Sequence, residues 1–203
     1  MLHLRVPLVL ASASPRRGAL LRGLGLSFET VPADVAEDWP EGAEPAQAVE
    51  AIADVKAAAV AAVRTDALVL GADTVVVLAD RVLGKPADAA EACAMLRALA
   101  GVTHRVCTGI SLRHGDAVAT AHAVTAVTFA ELSDHEIARY VASGSPLDKA
   151  GAYGIQDDLG ALFVDRIEGD YYNVVGLPLR LLYRTIREHF PSLVDPGPSG
   201  KQS

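Results

Sequence analysis

The stretch LVLGADTVVVLADRVLGKP, residues 68–86, decides how the rest of the chain is expected to fold. Its two apolar runs, residues 68–70 and 75–78, have the composition of buried β-strands. A polar turn at residues 79–81 then sends the chain back through a second, short strand. Asp73 lies between the two apolar runs, where an unpaired buried carboxylate would be strongly unfavourable.

Two interpretations of Asp73 follow from this position. The residue can cap a turn at the end of a strand, or its carboxylate can face a cation or a cleft. Lys85 favours the second interpretation, because Gly84 and Pro86 hold this basic side chain near the same pair of strands. The sequence therefore favours a site that contains both Asp73 and Lys85.

The composition is typical of a soluble globular protein of one domain or two closely packed lobes. Hydrophobic residues make up 51% of the 203 residues, but no apolar run approaches the ~20 residues that span a bilayer. The net charge of −7 argues against nucleic-acid binding and still allows a phosphorylated small molecule as ligand. Cys93 and Cys107 fit no metal motif, which favours a reduced, cytoplasmic setting.

The N-terminal segment has some features of a signal peptide, with Arg5, a short apolar run and small residues at 11–13. Pro7 interrupts the apolar run, which is shorter than the ~7–15 residues of a signal peptide. Two arginines also follow at once. We therefore predict a buried first strand at residues 8–11.

The segment SASPRR after this strand predicts a helix start, with Ser14 as N-cap and Pro15 at the first helical position. Arg16 and Arg17 then occupy the first turn, where the helix dipole favours negative charge. Both arginines could be solvated and merely tolerated. Ser12 and Ser14 favour the alternative, an anion held by hydroxyls, backbone N–H groups and guanidinium groups. We expect a phosphate there.

The second helix is predicted over residues 45–64, with an apolar stripe that includes Ile52 and Val60. Lys56 falls on this stripe, so its ammonium group either extends to solvent or reaches a carboxylate or phosphate near the sheet. The acidic loop before the helix, residues 34–41, offers one or two metal-binding carboxylates at most.

The rest of the chain alternates between helices and strands. We predict a strand at 28–31, a helix from 88 to Gly101, a hairpin of 106–112 and 118–129, a helix from 133 to Gly144, a strand at 162–167 and a last helix after Pro178. Residues 145–156 are predicted to form a loop around a ligand. His104 and His122 are predicted to be structural, and residues 191–203 are predicted to form a disordered tail.

Six short segments stand out together. They are SASPRR (12–17), GADTVV (71–76), GKP (84–86), TG (108–109), DKAGAYGIQ (148–156) and NVVGLP (173–178). Each is weakly specific alone, but the six in this order, across residues 8–190, resemble the Maf family of nucleoside triphosphate pyrophosphatases.

The resemblance implies one α/β domain over residues 1–190, similar to the inosine triphosphatase architecture. It would have two lobes, an elongated mixed β-sheet flanked by helices, and a central cleft. The implied reaction hydrolyses the α–β phosphoanhydride of a nucleoside triphosphate and releases the monophosphate and pyrophosphate. It implies Mg²⁺ or Mn²⁺ as cofactor and a homodimer as assembly.

The resemblance also implies roles for individual residues. Asp73 matches the catalytic acid, which would orient or deprotonate water or bind the metal, and Glu37 matches its acidic partner. Together with the physical arguments above, the expected substrate-binding residues are Ser12, Ser14, Arg16, Arg17, Lys56, Thr74, Lys85, Lys149 and Gln156. Arg16, Thr74 and Gln156 match positions that distinguish the dTTP/UTP branch, which this sequence resembles, from the 7-methyl-GTP branch.

Two positions depart from the family pattern. Ala36 stands where the family often has an acid, which argues against a second metal-binding carboxylate there. Asp157 replaces a common glycine after Gln156 and can alter the loop that contacts the base. Two alternatives stay open: a 7-methyl-GTP pyrophosphatase, and a non-catalytic nucleotide sensor that regulates cell division.

Overall fold

The computed structural model describes residues 2–157 and 159–195 of the chain. Within these residues, helices and strands alternate as the sequence predicts. The strands are β1 (Leu8–Leu10), β2 (Glu29–Thr30), β3 (Leu68–Leu78), β4 (Arg81–Leu83), β5 (Thr103–His114), β6 (Ala117–Phe129) and β7 (Val164–Glu168). The helices are α1 (Pro15–Gly23), α2 (Pro45–Ala61), α3 (Ala89–Leu99), α4 (Asp134–Ala142), α5 (Tyr171–Val175) and α6 (Leu179–His189).

The described strands form one mixed sheet of seven strands. The order is β2-β1-β3-β5-β6-β7, and β4 pairs with the end of β3. Strand β1 runs parallel to β2 and to β3, whereas the other pairs are antiparallel. The expected fold class, a mixed sheet flanked by helices, is therefore confirmed.

The two apolar runs around Asp73 belong to one continuous strand, β3, with eleven residues. Strand β5 pairs with it along one side, from Val69 to Val77. The central position of β3 explains why its residues are almost all buried. The predicted hairpin of β5 and β6 is also confirmed, and the turn between them lies at residues 115–116.

Helix α2 packs directly on β3 and β5 because two glycines leave room for its backbone. A Cβ atom on Gly71 would lie 2.1 Å from the carbonyl oxygen of Ala53, and one on Gly109 would lie 2.4 Å from that of Val49. No side chain fits in this space. The close approach brings Lys56 of α2 to the same face of the sheet as Asp73.

The opposite face of the sheet carries two separate hydrophobic cores. One core joins β1 and the start of β3 to α1 and α6, and the other joins the end of β3 to α3 and α4. Between them, Thr74 of β3 and Thr108 of β5 lie in register and share a hydrogen bond of 3.0 Å. This threonine pair lies at the boundary between the two cores, and the two lobes expected from the sequence stay a prediction.

Several element ends differ from the sequence prediction. Helix α2 ends at Ala61, three residues earlier than predicted. Strand β7 begins at Val164 rather than at 162, because residues Gly160–Phe163 form a 3-10 turn before it. Both predicted helix starts are capped: Ser133 and Glu136 form a capping box at α4, and the Asp88 side chain accepts a hydrogen bond from the backbone N–H of Glu91, the third residue of α3.

The predicted tail begins with an ordered segment. Residues Pro191–Leu193 form a 3-10 turn, and Val194 forms an antiparallel bridge with Leu4 near the N-terminus. Residues 196–203 of the predicted tail lie outside the described part of the chain. In that described part, no helix is both long enough and apolar enough to cross a membrane.

Candidate active site

A gap in strand pairing opens the cleft beside Asp73. Strand β1 pairs with residues 68–70 of β3, and β4 pairs with residues 76–78 on the other side of the gap. Residues 71–75 have no strand on that side among the described residues. The resulting cleft has a volume of about 630 Å³, within the range of roughly 300–1,000 Å³ for ligand sites.

Asp73 lies in the middle of this gap, where its carboxylate and that of Glu37 contact the same lysine. The Nζ atom of Lys56 lies 2.8 Å from Asp73 Oδ1 and 2.9 Å from Glu37 Oε1. Lys56 and Asp73 are both 8% exposed, whereas the Glu37 side chain is half exposed. The structure thus brings the predicted catalytic acid and its predicted acidic partner together, and Lys56 pairs with a carboxylate rather than extending to solvent.

The start of α1 forms the second wall of the cleft. Ser14 is the N-cap as predicted, but its side chain makes no capping hydrogen bond. Ser12 Oγ accepts hydrogen bonds from Ser14 N and from Arg17 Nη1. Its own O–H therefore stays available to a ligand, beside the N-terminal end of α1, which favours anions.

Arg17 is buried and connects three parts of the site. Its Nε donates to the carbonyl oxygen of Gly176 at 2.9 Å, Nη1 donates to Ser12 Oγ at 2.9 Å, and Nη2 donates to Thr74 Oγ1 at 3.0 Å. Burial lowers the pKa of this guanidinium group, while the nearby Asp73 charge acts to raise it. The network continues through Thr108, which donates to the carbonyl oxygen of Asn173.

Lys85 supplies a positive charge on the opposite side of the cleft. It follows β4, is exposed, and has no hydrogen-bond or ion-pair partner among residues 2–157 and 159–195. This arrangement leaves all three donors of the ammonium group available to a ligand. The spatial association of Lys85 with Asp73, expected from the sequence, is present in the structure.

The predicted ligand loop lines the far end of the cleft. Arg16 Nη1 donates to Asp148 Oδ2 at 2.8 Å, which ties the start of α1 to this loop. Lys149 is buried, and its Nζ contacts Asp148, Asp157 and two oxygens of Ser145. Its donors are therefore used within the loop. Gln156 is exposed in the cleft wall and donates to Asp157 Oδ1 at 3.0 Å.

Burial and neighbouring charges shift the pKa values of two side chains at this loop, Asp148 and Tyr140. Burial acts to raise the pKa of the Asp148 carboxyl, but hydrogen bonds and charges from Lys149 and Arg16 outweigh it and lower the pKa. Burial raises the pKa of Tyr140, whose hydroxyl lies between the Gly154 backbone and Asp157. The two shifts favour a charged Asp148 carboxylate and a neutral Tyr140 hydroxyl.

Residues outside the predicted set also line the cleft. Trp39 is partly exposed in the wall near Glu37, and Tyr153 and Asp148 lie in the loop. The sequence shows Trp39 within an acidic loop and Asp148 beside Lys149. It does not show that Asp148 pairs with Arg16, because these two residues are 132 positions apart.

The two histidines have the structural surroundings expected for them. His104 is buried, hydrogen-bonds to the Tyr153 hydroxyl at 2.8 Å, and contacts Phe129 edge to face. His122 pairs with Glu50 of α2. Among the described residues there is no group of three or more His, Cys, Asp or Glu side chains that could hold a metal ion.

Comparison with known proteins identifies the family of this fold and site. The model of the Maf-like protein family matches residues 7–189. The chain therefore belongs to the Maf family.

Individual relatives are similar over nearly their whole length. The dTTP/UTP pyrophosphatase of Salinibacter ruber is 54% identical over 197 residues, which cover 96% of this chain and 97% of the relative. The dTTP/UTP pyrophosphatase of Moorella thermoacetica is 57% identical over 176 residues, or 85% of this chain and 89% of the relative. That of Pelotomaculum thermopropionicum is 54% identical over 177 residues, or 86% and 92%.

Proposed function

We propose that this protein hydrolyses the α–β phosphoanhydride of dTTP and UTP to the nucleoside monophosphate and pyrophosphate. The observation that carries the proposal is one buried carboxylate, Asp73, in a cleft bordered by Lys56, Arg17 and Lys85. A triphosphate needs such concentrated positive charge, particularly on a protein whose net charge is −7. The relatives named dTTP/UTP pyrophosphatase, at about half identity, support the same activity.

The two walls of the cleft would each bind a different part of the phosphate chain. The Ser12 hydroxyl, the Ser14 hydroxyl and the backbone N–H groups at the start of α1 would bind one part. Lys85 would bind another part from the opposite wall, where its ammonium group is unpaired in the described structure. Arg17 would hold the first wall in place, because its guanidinium already connects Ser12, Thr74 and Gly176.

Asp73 would act on the attacking water. Its Oδ1 binds Lys56, and its Oδ2 has no hydrogen-bond partner in the described residues, so this second oxygen can accept a proton from water. Lys56 would keep the carboxylate in one orientation and balance its charge. In-line attack at the α-phosphorus requires such fixed geometry, because positioning and electrostatics supply most of the catalysis in phosphoryl transfer.

We further propose a divalent cation, Mg²⁺ or Mn²⁺, as cofactor. Asp73 and Glu37 each have one carboxylate oxygen that binds Lys56 and one that is free in the described structure, so this donor set fits a hard cation. Proton acceptor and metal ligand are competing roles for the free oxygen of Asp73, whereas the free oxygen of Glu37 has only the second role. Mg²⁺ is commonly bound by one or two carboxylates and completed by substrate phosphates and water. The cation would neutralise charge that develops on the pyrophosphate leaving group.

The test measures phosphate release from ordinary, deoxy and modified nucleoside triphosphates, with Mg²⁺ or Mn²⁺ and with or without added inorganic pyrophosphatase. We expect phosphate from dTTP and UTP only when the helper enzyme is present, which marks cleavage between the α- and β-phosphates. Asp73→Asn should keep the fold and lose turnover. Preference for 7-methyl-GTP, or binding without turnover across the panel, would overturn the proposal.

We also propose a cytoplasmic homodimer. The cytoplasmic setting is supported by Cys93 and Cys107, which both occur as free thiols in the structure. Sedimentation of the purified protein across a range of concentrations tests the assembly. A single species with the mass of the 21.2 kDa chain would contradict the dimer.

A further inference from the structure

Asp157 forms the centre of a hydrogen-bond network beside the cleft, and its two oxygens have different neighbours. Oδ2 accepts from Ser145 Oγ at 2.6 Å and from the Tyr140 hydroxyl at 3.0 Å, and it lies 3.2 Å from Lys149 Nζ. Oδ1 accepts from Gln156 Nε2 at 3.0 Å. Three donors thus fix the carboxylate from behind, and the remaining oxygen faces Gln156.

This contact fixes which end of the Gln156 amide is free. A carboxylate only accepts hydrogen bonds, so the nitrogen of the amide must face Asp157. The amide oxygen of Gln156 then points away from Asp157, and no described residue donates to it. Gln156 lines the cleft, so its free oxygen is available to a ligand as a hydrogen-bond acceptor.

Pyrimidine bases differ at N3, the atom that such an acceptor would contact. Uracil and thymine carry an N3–H donor between two carbonyl oxygens. Cytosine has an unprotonated N3 acceptor beside its amino group, so a hydrogen bond to its N3 needs the opposite orientation of the amide. A glutamine whose amide can rotate would bind both kinds of base in this way. A glutamine held in one orientation would bind only one kind.

We propose that Asp157 is a positioning residue that selects uracil and thymine against cytosine by holding the Gln156 amide in one orientation. This inference rests on the proposed hydrolysis of pyrimidine nucleotides in the same cleft. It assigns base selection to a side chain that acts through its neighbour rather than by touching the base. Discrimination of this kind is strong when the wrong base leaves a polar group of the site unpaired.

The isosteric variant Asp157→Asn gives the sharpest test. The three donors behind Asp157 would hold the carbonyl oxygen of the new amide, which places its NH₂ group toward Gln156. Gln156 would then turn its own oxygen to that NH₂ and its nitrogen to the base. The variant should therefore favour cytosine, whereas Asp157→Ala should only weaken the preference, because it leaves Gln156 free to turn.

The experiment measures kcat and KM with UTP, dTTP and CTP by pyrophosphate release for the wild type and each variant. We expect the ratio of kcat/KM for UTP to that for CTP to fall at least about tenfold in Asp157→Asn, the scale of one misplaced hydrogen bond. The change should lie mainly in KM. Ser145→Ala is the matched control, because it removes a hydrogen bond from the same carboxylate and leaves the contact with Gln156.

The outcomes separate this inference from the function on which it rests. A general loosening of the loop would lower the activity on UTP and CTP alike and leave their ratio unchanged. An active wild type with an unchanged ratio in Asp157→Asn and Asp157→Ala would overturn the inference alone, as would a wild type without preference for UTP over CTP. No pyrophosphate from any pyrimidine triphosphate with the wild type would overturn the proposed function as well.

Discussion

Lys56 Nζ and Asp73 Oδ1 lie 2.8 Å apart between helix α2 and strand β3, in surroundings where both residues are 8% exposed. A buried ion pair gains little over apolar packing, but removal of one partner leaves an uncompensated charge. The pair therefore links the proposed catalytic geometry to stability. It also explains how a lysine can occupy the apolar stripe of α2.

Removal of the lysine should show both effects. We expect Lys56→Met to lose turnover and to lower the free energy of unfolding by about 3–5 kcal/mol, the scale of a broken buried pair. Urea denaturation followed by circular dichroism measures the second effect. The double variant Lys56→Met/Asp73→Asn should recover part of the stability and none of the activity. A single variant as stable as the wild type would contradict this interpretation of the pair.

The two glycines beneath α2 should tolerate no side chain. In Gly71→Ala or Gly109→Ala the new Cβ would collide with the helix backbone, so we expect a loss of roughly 1–3 kcal/mol from overpacking. Activity should fall as well, because a shifted α2 moves Lys56 away from Asp73. Thermal unfolding and turnover of UTP measure the two effects.

Gly23→Ala is the control for these substitutions. Gly23 lies in α1, and its added Cβ would have no neighbour within 4 Å. We expect this variant to be as stable as the wild type or slightly more stable, since alanine favours helices. Equal stability of all three glycine variants would show that α2 does not need the close approach.

Arg17 should not be replaceable by lysine. Its guanidinium donates in three directions, to Ser12, Thr74 and Gly176, and an ammonium group on a flexible chain does not reproduce this fork. We expect Arg17→Lys to lower kcat/KM for UTP about tenfold or more, since a hydrogen bond to a charged group contributes ~1.5–3 kcal/mol. Arg22→Lys, an exposed change on the same helix, should leave activity intact. Wild-type kinetics in Arg17→Lys would argue against a role for the fork.

His104 should make stability depend on pH. Burial lowers the pKa of this histidine to about 4 from its ordinary value of 6.5. Between these values the unfolded chain binds a proton that the folded chain does not, so stability falls as the pH falls from about 6.5 to about 4. The total loss from this group should be ~3 kcal/mol.

Comparison with His104→Gln isolates this contribution. Glutamine can still hydrogen-bond to Tyr153 but does not titrate, so the variant should show a smaller loss of stability over the same pH range. Urea denaturation at several pH values measures the difference. Parallel curves for the two proteins would contradict the assignment to His104.

The fold was predictable where local chemistry dictates it. The central run around Asp73 and the helix starts at Ser14 and Ser133 are short-range signals, and all three are present in the structure. The start of β7 was predicted two residues too early, because the apolar residues Leu162 and Phe163 belong to a turn. Composition alone does not distinguish such a turn from a strand.

The sequence identified the charged residues of the site, but it did not identify the residues that they contact. Lys56 stood out as a cation on an apolar stripe, although its pairing with Asp73 required the tertiary fold. Lys149 was expected to bind substrate, and the structure shows its donors engaged within its own loop. The role of Gly71 and Gly109 also depends on a helix elsewhere in the chain, so no local pattern reveals it.

The threonine pair between the two hydrophobic cores has a mechanical consequence. Thr74 and Thr108 contact each other through a hydrogen bond, whereas the cores on either side of them consist of apolar side chains. Bending of the sheet along this line would therefore disturb less apolar contact than bending through either core. Such bending would change the distance between the start of α1 and Lys85. We therefore expect the threonine pair to mark the line along which the two walls of the cleft can move relative to each other.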